Sequence, residues 1–88
     1  MNREDTTLEP NKLVDFYWRD GCWFCATLIR ELTDAGVMIN KMNIWDNPDH
    51  AAFVRSVANG NETVPTVVID SVVLVNPSAQ DVLKAMAV

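Results

Sequence analysis

Two short apolar runs with one amphipathic helical segment between them, spanning Leu13 to Ile44, constrain this chain more than any other feature. Leu13, Val14, Phe16 and Tyr17 form the first run, closed by Arg19, Asp20 and Gly21, which reads as a buried strand running into a turn. Cys25, Leu28, Leu32 and Ala35 then recur at helical spacing with Ile29 beside them, and Gly36 supplies a stop. Val37 to Ile44, rich in Val, Ile and Met, reads as a second strand. A helix between two strands takes the chain back to the end where it started. That implies parallel pairing with a right-handed crossover.

The remainder adds a helix, a hairpin and a last helix. Asn47 and Pro48 suit a cap and a first helical position, predicting a helix over residues 48–58 with Ala51, Ala52, Val54 and Val57 as packing positions. The loop Ala58-Asn59-Gly60-Asn61-Glu62-Thr63 breaks it. Val64–Ile69 and Val72–Val75 are β-branched runs separated by Asp70 and Ser71, the pattern of antiparallel neighbours. Ser78, with Asp81 three residues on, can cap a final helix to about Met86, with Val82, Leu83 and Met86 turned inward. The expected fold is α/β, in the order β-α-β-α-β-β-α, with three helices covering one mixed four-stranded sheet. Residues 1–11 are polar and read as a flexible lead-in, leaving 12–88 as a single domain. At 88 residues and 49% hydrophobic content, the chain can build one core and not two.

Charge and composition exclude several classes. Seven Lys and Arg against 12 Asp and Glu give a net charge of −5, which argues against nucleic-acid or anionic-membrane partners. Three Gly and four Pro rule out low complexity, and no internal repeat or long apolar run suggests a solenoid or a membrane span. The first ten residues, MNREDTTLEP, lack the basic start and apolar stretch of a signal peptide, so a cytoplasmic location is expected.

Cys22 and Cys25 fall where the first helix should begin, and three readings compete for them: a redox pair, part of a metal site, or a staple. Two cysteines make a sparse framework for a secreted mini-protein. A structural zinc site takes about four protein ligands, and only His50, read as a helix-surface residue, could join the pair. The redox reading has a geometric basis. Helical side chains tilt toward the N-terminus, so Cys25 should lean back toward Cys22, leaving Cys22 exposed and Cys25 buried. The attacking species is a thiolate, and the helix N-terminus and Arg19 would favour that form at Cys22 while Asp20 opposes it. Cys22 would attack a substrate disulfide, and the resulting mixed disulfide would be resolved by Cys25 or by a small thiol. Thr63-Val64-Pro65 stands directly before a strand, where a missing Pro N–H is tolerated.

Taken together, Tyr17, Arg19, Cys22-Trp23-Phe24-Cys25, Thr63-Val64-Pro65 and the hairpin and helix after them resemble the glutaredoxins, a branch of the thioredoxin fold. The resemblance implies Cys22 as nucleophile, Cys25 as resolving thiol and Arg19 as the thiolate-stabilising cation. It further implies a cis Val64–Pro65 bond whose Val64 backbone clamps a substrate peptide. Trp23 and Phe24 would form part of the rim, and Thr63 and Ser78 would touch ligand, though a turn and a helix cap explain those two residues equally well. Within the family, Asn59 to Val67 followed by Asn76-Pro77-Ser78-Ala79 looks most like the mycoredoxins of actinobacteria, which reduce mixed disulfides between proteins and mycothiol. Glutathione-using members typically carry a Gly-Gly turn where this chain has Asn76-Pro77-Ser78, and Trp23-Phe24 replaces the usual Pro-Tyr or Gly-Tyr. The implied protein is a monomer without a tightly bound cofactor. It would use mycothiol or glutathione as co-substrate and meet disulfide-containing or S-thiolated proteins transiently. Two alternatives stay open: a dithiol electron donor served by thioredoxin reductase, and an iron–sulfur cluster-binding glutaredoxin, which Trp23 would crowd. Trp18 and Trp45 are expected to pack, and Arg55 to be a solvated surface residue.

Overall fold

The computed structural model describes residues 13–87. The lead-in expected over residues 1–11 lies outside the described residues. Strand β1 (Leu13–Trp18) is followed by helix α1 (Trp23–Asp34), strand β2 (Met38–Asn43), helix α2 (Pro48–Val57), strands β3 (Thr66–Ile69) and β4 (Val72–Val75), and helix α3 (Ala79–Met86). The four strands form one sheet in the order β2-β1-β3-β4. β1 and β2 are parallel from Leu13↔Met38 to Trp18↔Asn43, as the strand–helix–strand spacing requires. β3 runs antiparallel to β1, and β4 antiparallel to β3, completing the expected mixed sheet.

Period-two alternation sends β1 side chains to two cores. Val14 and Phe16 join Cys25, Leu28 and Leu32 of α1, Val67 and Ile69 of β3, and Val82 and Met86 of α3 in one buried cluster. Tyr17 joins Ile44 with Ala51, Val54 and Ala58, at and after α2, in a second cluster that also takes in Val68. The sheet thus lies between α1 and α3 on one face and α2 on the other. β1, paired on both edges and flanked by both cores, holds the turn at residues 19–22 in place.

Several packing expectations shift by a position or two. Ala35 is exposed because α1 ends there, as its C-cap, with Gly36 beyond it at φ +84°. Ala52 points to solvent, whereas Ala58, just past α2, is buried. β3 starts at Thr66 and not at Val64, because Val64–Pro65 is a cis peptide that bends the chain before the ladder begins.

Candidate functional site

Gly21 is the local cause of the turn that delivers the cysteines. Its φ of +81° is left-handed backbone that side chains disfavour, and it carries β1 abruptly into α1. Cys22 becomes the N-cap of α1, with extended backbone and its sulfur accepting from the Cys25 N–H at 3.3 Å. Both thiols are free; Cys22 is half-buried and Cys25 is 1% exposed. The Cys22 thiol also faces the Val64 carbonyl oxygen at 3.9 Å, so the cis Val64–Pro65 segment lies directly across from it.

Their environments set the two sulfurs apart. Burial pushes the Cys25 thiol up to about 12, and its hydrogen bond with Cys22 and the Cys22 charge push the same way. The Arg19 backbone N–H and guanidinium pull it down, but by less. Cys25 is therefore a protonated thiol near neutral pH and would act only once drawn into exchange. Among the described residues, no group of three or more His, Cys, Asp or Glu side chains is arranged to hold a metal ion. His50 sits on α2 with its ring edge toward Tyr17, 5.9 Å between centroids, and its Nδ1 3.4 Å from the Asn43 carbonyl oxygen.

Two cavities flank the cysteines. One, of about 170 Å³, is walled by Trp18, Arg19, Gly21, Cys22, Ile29 and Lys41. Trp18 packs against the main core as expected, with its buried Nε1 lacking a hydrogen-bond partner among the described residues. The other, of about 140 Å³, lies beyond Pro65, where Phe24, Thr27 and Glu31 of α1 face Asn76, Pro77 and Ser78 ahead of α3. Trp23 and Phe24 stack on each other at 4.1 Å between centroids and are 66% and 58% exposed, which places both on the rim. Ser78 lines the second cavity while its hydroxyl oxygen accepts from the Asp81 N–H, so it is a cap and a wall at once. Thr63 is half-buried; its carbonyl accepts from the Thr66 hydroxyl at 2.8 Å.

Trp45 corrects the sequence reading. It does not pack: it is 61% exposed in the turn after β2, and the Arg19 guanidinium carbon lies 5.4 Å from its ring centroid. Arg55 is on the surface as expected, yet it is held by Glu62 at 2.7 Å. Glu31 was missed altogether. Its signal is the spacing Phe24, Thr27, Glu31, which puts the three on one face of α1.

A strand-to-helix turn bearing two cysteines on a sheet of this order defines a thiol–disulfide oxidoreductase with a thioredoxin-like fold. Crystal structures of the thioredoxin-like protein BC3987 and of a single-residue mutant of it superpose with a TM-score of 0.68 at 18% identity, covering 83% of this chain and 97% and 96% of theirs. The glutaredoxin family profile matches residues 14–75. Two Mycobacterium tuberculosis proteins named as glutaredoxins, from different strains, are 40% identical over 70 residues, covering 78% of this chain and 83% of each of theirs. The chain belongs to the glutaredoxin family. Among the described residues, no helix is long and apolar enough to cross a membrane.

Proposed function

We propose that this glutaredoxin reduces mixed disulfides between proteins and a low-molecular-weight thiol, and that the thiol is mycothiol. The carrying observation is the division between the two sulfurs: Cys22 is half-exposed at a helix N-terminus, whereas Cys25 is buried and held protonated. Cys22 thiolate attacks the thiol-derived sulfur of the mixed disulfide, forming Cys22–S–S–R and expelling the protein thiolate, which takes a proton from solvent. A second small-thiol thiolate then attacks this disulfide and restores Cys22, leaving the two small thiols joined. One disulfide is reduced and one is formed. Arg19 steadies the thiolate, and Val64, ahead of cis Pro65, offers its backbone to the substrate chain. Trp23, Phe24, Thr63 and Ser78 complete the binding surface.

Two features favour mycothiol, a sugar conjugate without free carboxylates. The turn before α3 is Asn76-Pro77-Ser78 and not the Gly-Gly turn typical of glutathione users, and the M. tuberculosis relatives come from an actinobacterium. The protein works as a cytoplasmic monomer on transiently docked partners.

The test compares wild type with Cys25→Ser in reducing a mycothiolated protein, with mycothiol and its reductase or with glutathione and its own. Activity retained in the variant and higher with mycothiol supports the proposal. Activity lost in the variant, or driven only by thioredoxin reductase, assigns a dithiol electron donor instead.

A further inference from the structure

Two cations, Arg19 and Lys41, share the cavity that Cys22 lines, against Asp20 as its one acidic wall residue. Lys41 comes from β2. It pairs with Phe16 across the parallel ladder, and paired residues share a face, so it stands on the α1 side of the sheet. The Arg19 guanidinium comes from the turn, where Nη1 donates to the Asp20 carbonyl and lies 3.8 Å from the point that a Cβ on Gly21 would occupy. Arg55, elsewhere on the surface, is neutralised by Glu62. Among the described residues, neither Arg19 nor Lys41 has a carboxylate within ion-pair distance, which in a chain of net charge −5 is a local exception.

Trp18, Ala26 and Ile29 supply the apolar part of the wall. The volume of about 170 Å³ falls short of a drug-sized site and takes one side chain, not a whole small-thiol conjugate. Two cationic heads beside an apolar wall suit a carboxylate on a short aliphatic stem, which is the chemistry of Glu or Asp. Neither Val64 nor Pro65 lines this cavity, and the opening beyond Pro65, where Glu31 is the charged residue, is separate from it. A mixed disulfide has a small arm and a protein arm. Mycothiol, the small arm in the reading above, has no carboxylate to place beside Arg19 and Lys41, whereas a protein arm can carry one.

We infer that this cavity is a subsite for an acidic side chain of the protein partner, placed close to the partner's reacting cysteine, whose carboxylate is received by Lys41 with Arg19 beside it. The inference rests on the reading that Cys22 attacks protein mixed disulfides, and it adds how the chain selects among them.

The experiment follows single turnovers of Cys25→Ser, in which the reaction stops once Cys22 has exchanged. Each substrate is an end-blocked peptide whose single Cys is joined to mercaptoethanol, an uncharged small thiol, with Glu or Gln at one of the positions flanking the Cys. Cys22 thiolate bonds to one sulfur of that disulfide and the other sulfur departs as a thiolate. Loss of the substrate is measured by quenched mass spectrometry and divided by its rate of loss to dithiothreitol, which removes intrinsic reactivity. At the best position the Glu peptide is expected to react about threefold to fivefold faster than its Gln counterpart at low ionic strength, and high salt should reduce the ratio. Lys41→Gln should bring the ratio down. Lys41→Glu should favour a Lys peptide at the same position, a reversal that a merely structural role for Lys41 would not produce. A ratio near one at every position, or a Glu preference that neither Lys41 variant changes, overturns the inference. So does a gain that appears only when the Gln peptide carries mercaptopropionate in place of mercaptoethanol, which would assign the cavity to the small thiol. Exchange with none of the peptides overturns the mixed-disulfide reading and this inference together, whereas exchange without a charge preference overturns this inference alone.

Discussion

The Arg19 guanidinium carbon lies 5.4 Å from the centroid of the Trp45 ring, joining the turn before Cys22 to the turn after β2. One guanidinium nitrogen also donates to the Asp20 carbonyl at 3.1 Å, so the planar group has a ring partner and a hydrogen-bond partner. A solvated arginine would sample many rotamers; this one is kept beside the cavity that Cys22 lines.

Removing the ring should therefore cost activity more than stability. An exposed cation–π contact is worth about 0.5–1 kcal/mol, so Trp45→Ala is expected to lower kcat/KM for a mixed disulfide by about twofold to fivefold. Trp45→Phe, which keeps an aromatic face, should recover most of the loss. The urea midpoint should barely move, because Trp45 is 61% exposed and contributes little burial. Equal rates in all three proteins would show that Arg19 needs no such support.

The α3 cap gives a second expectation. Hydrogen bonds from the Ser78 backbone N–H and hydroxyl hold the Asp81 carboxyl below its ordinary range, and Lys84 adds to the effect. A carboxyl depressed in the folded state stabilises above its unfolded pKa and loses that contribution as pH falls through the folded value. Urea unfolding should show Asp81→Asn weaker than wild type near neutral pH, with the two curves converging below about pH 4. Ser78→Ala, which removes the hydroxyl from the box, should cost about 1 kcal/mol. A constant difference between wild type and Asp81→Asn down to acid pH would assign the effect to shape and not to charge.

Periodicity and punctuation carried most of the fold. Gly21 and Gly36 mark the turn before α1 and its end, Asn47-Pro48 opens α2, and Ser78 with Asp81 opens α3, because each of these is local chemistry that the chain writes in adjacent residues. Site features that depend on distant elements were less legible. Trp45 follows an apolar strand, and a large aromatic there reads as packing. Its exposure follows from β2 ending at Asn43, which puts residue 45 beyond the sheet and within reach of Arg19. Nothing in the sequence reading singled out Glu31. It becomes part of a cavity wall only because α1 and α3 share one face of the sheet, a relation set by the strand order. Arg55 read correctly as a surface residue, but its pairing with Glu62 depends on how the loop after α2 folds back.

The raised Cys25 thiol ties the chemistry of the site to the stability of the fold. Burial is the main reason that it titrates at about 12 in place of 9.0, and the hydrogen bond and charge of Cys22 add to the shift. In the unfolded chain the same thiol loses its proton first, so between these values the folded state binds more protons and stability falls as pH rises. A single group can contribute a slope of at most about 1.4 kcal/mol per pH unit. Tyr17, raised chiefly by burial and then by the Asp15 charge, acts in the same direction starting from 10.0, but it is common to wild type and variant. Urea unfolding of the reduced protein, repeated in steps between these pH values, should therefore show wild type losing stability faster than Cys25→Ser, whose hydroxyl does not titrate. The gap between the two curves isolates Cys25. Parallel curves across that range would mean that the buried thiol ionises as readily in the folded protein as in the open chain, and the division of labour between Cys22 and Cys25 would lose its physical basis.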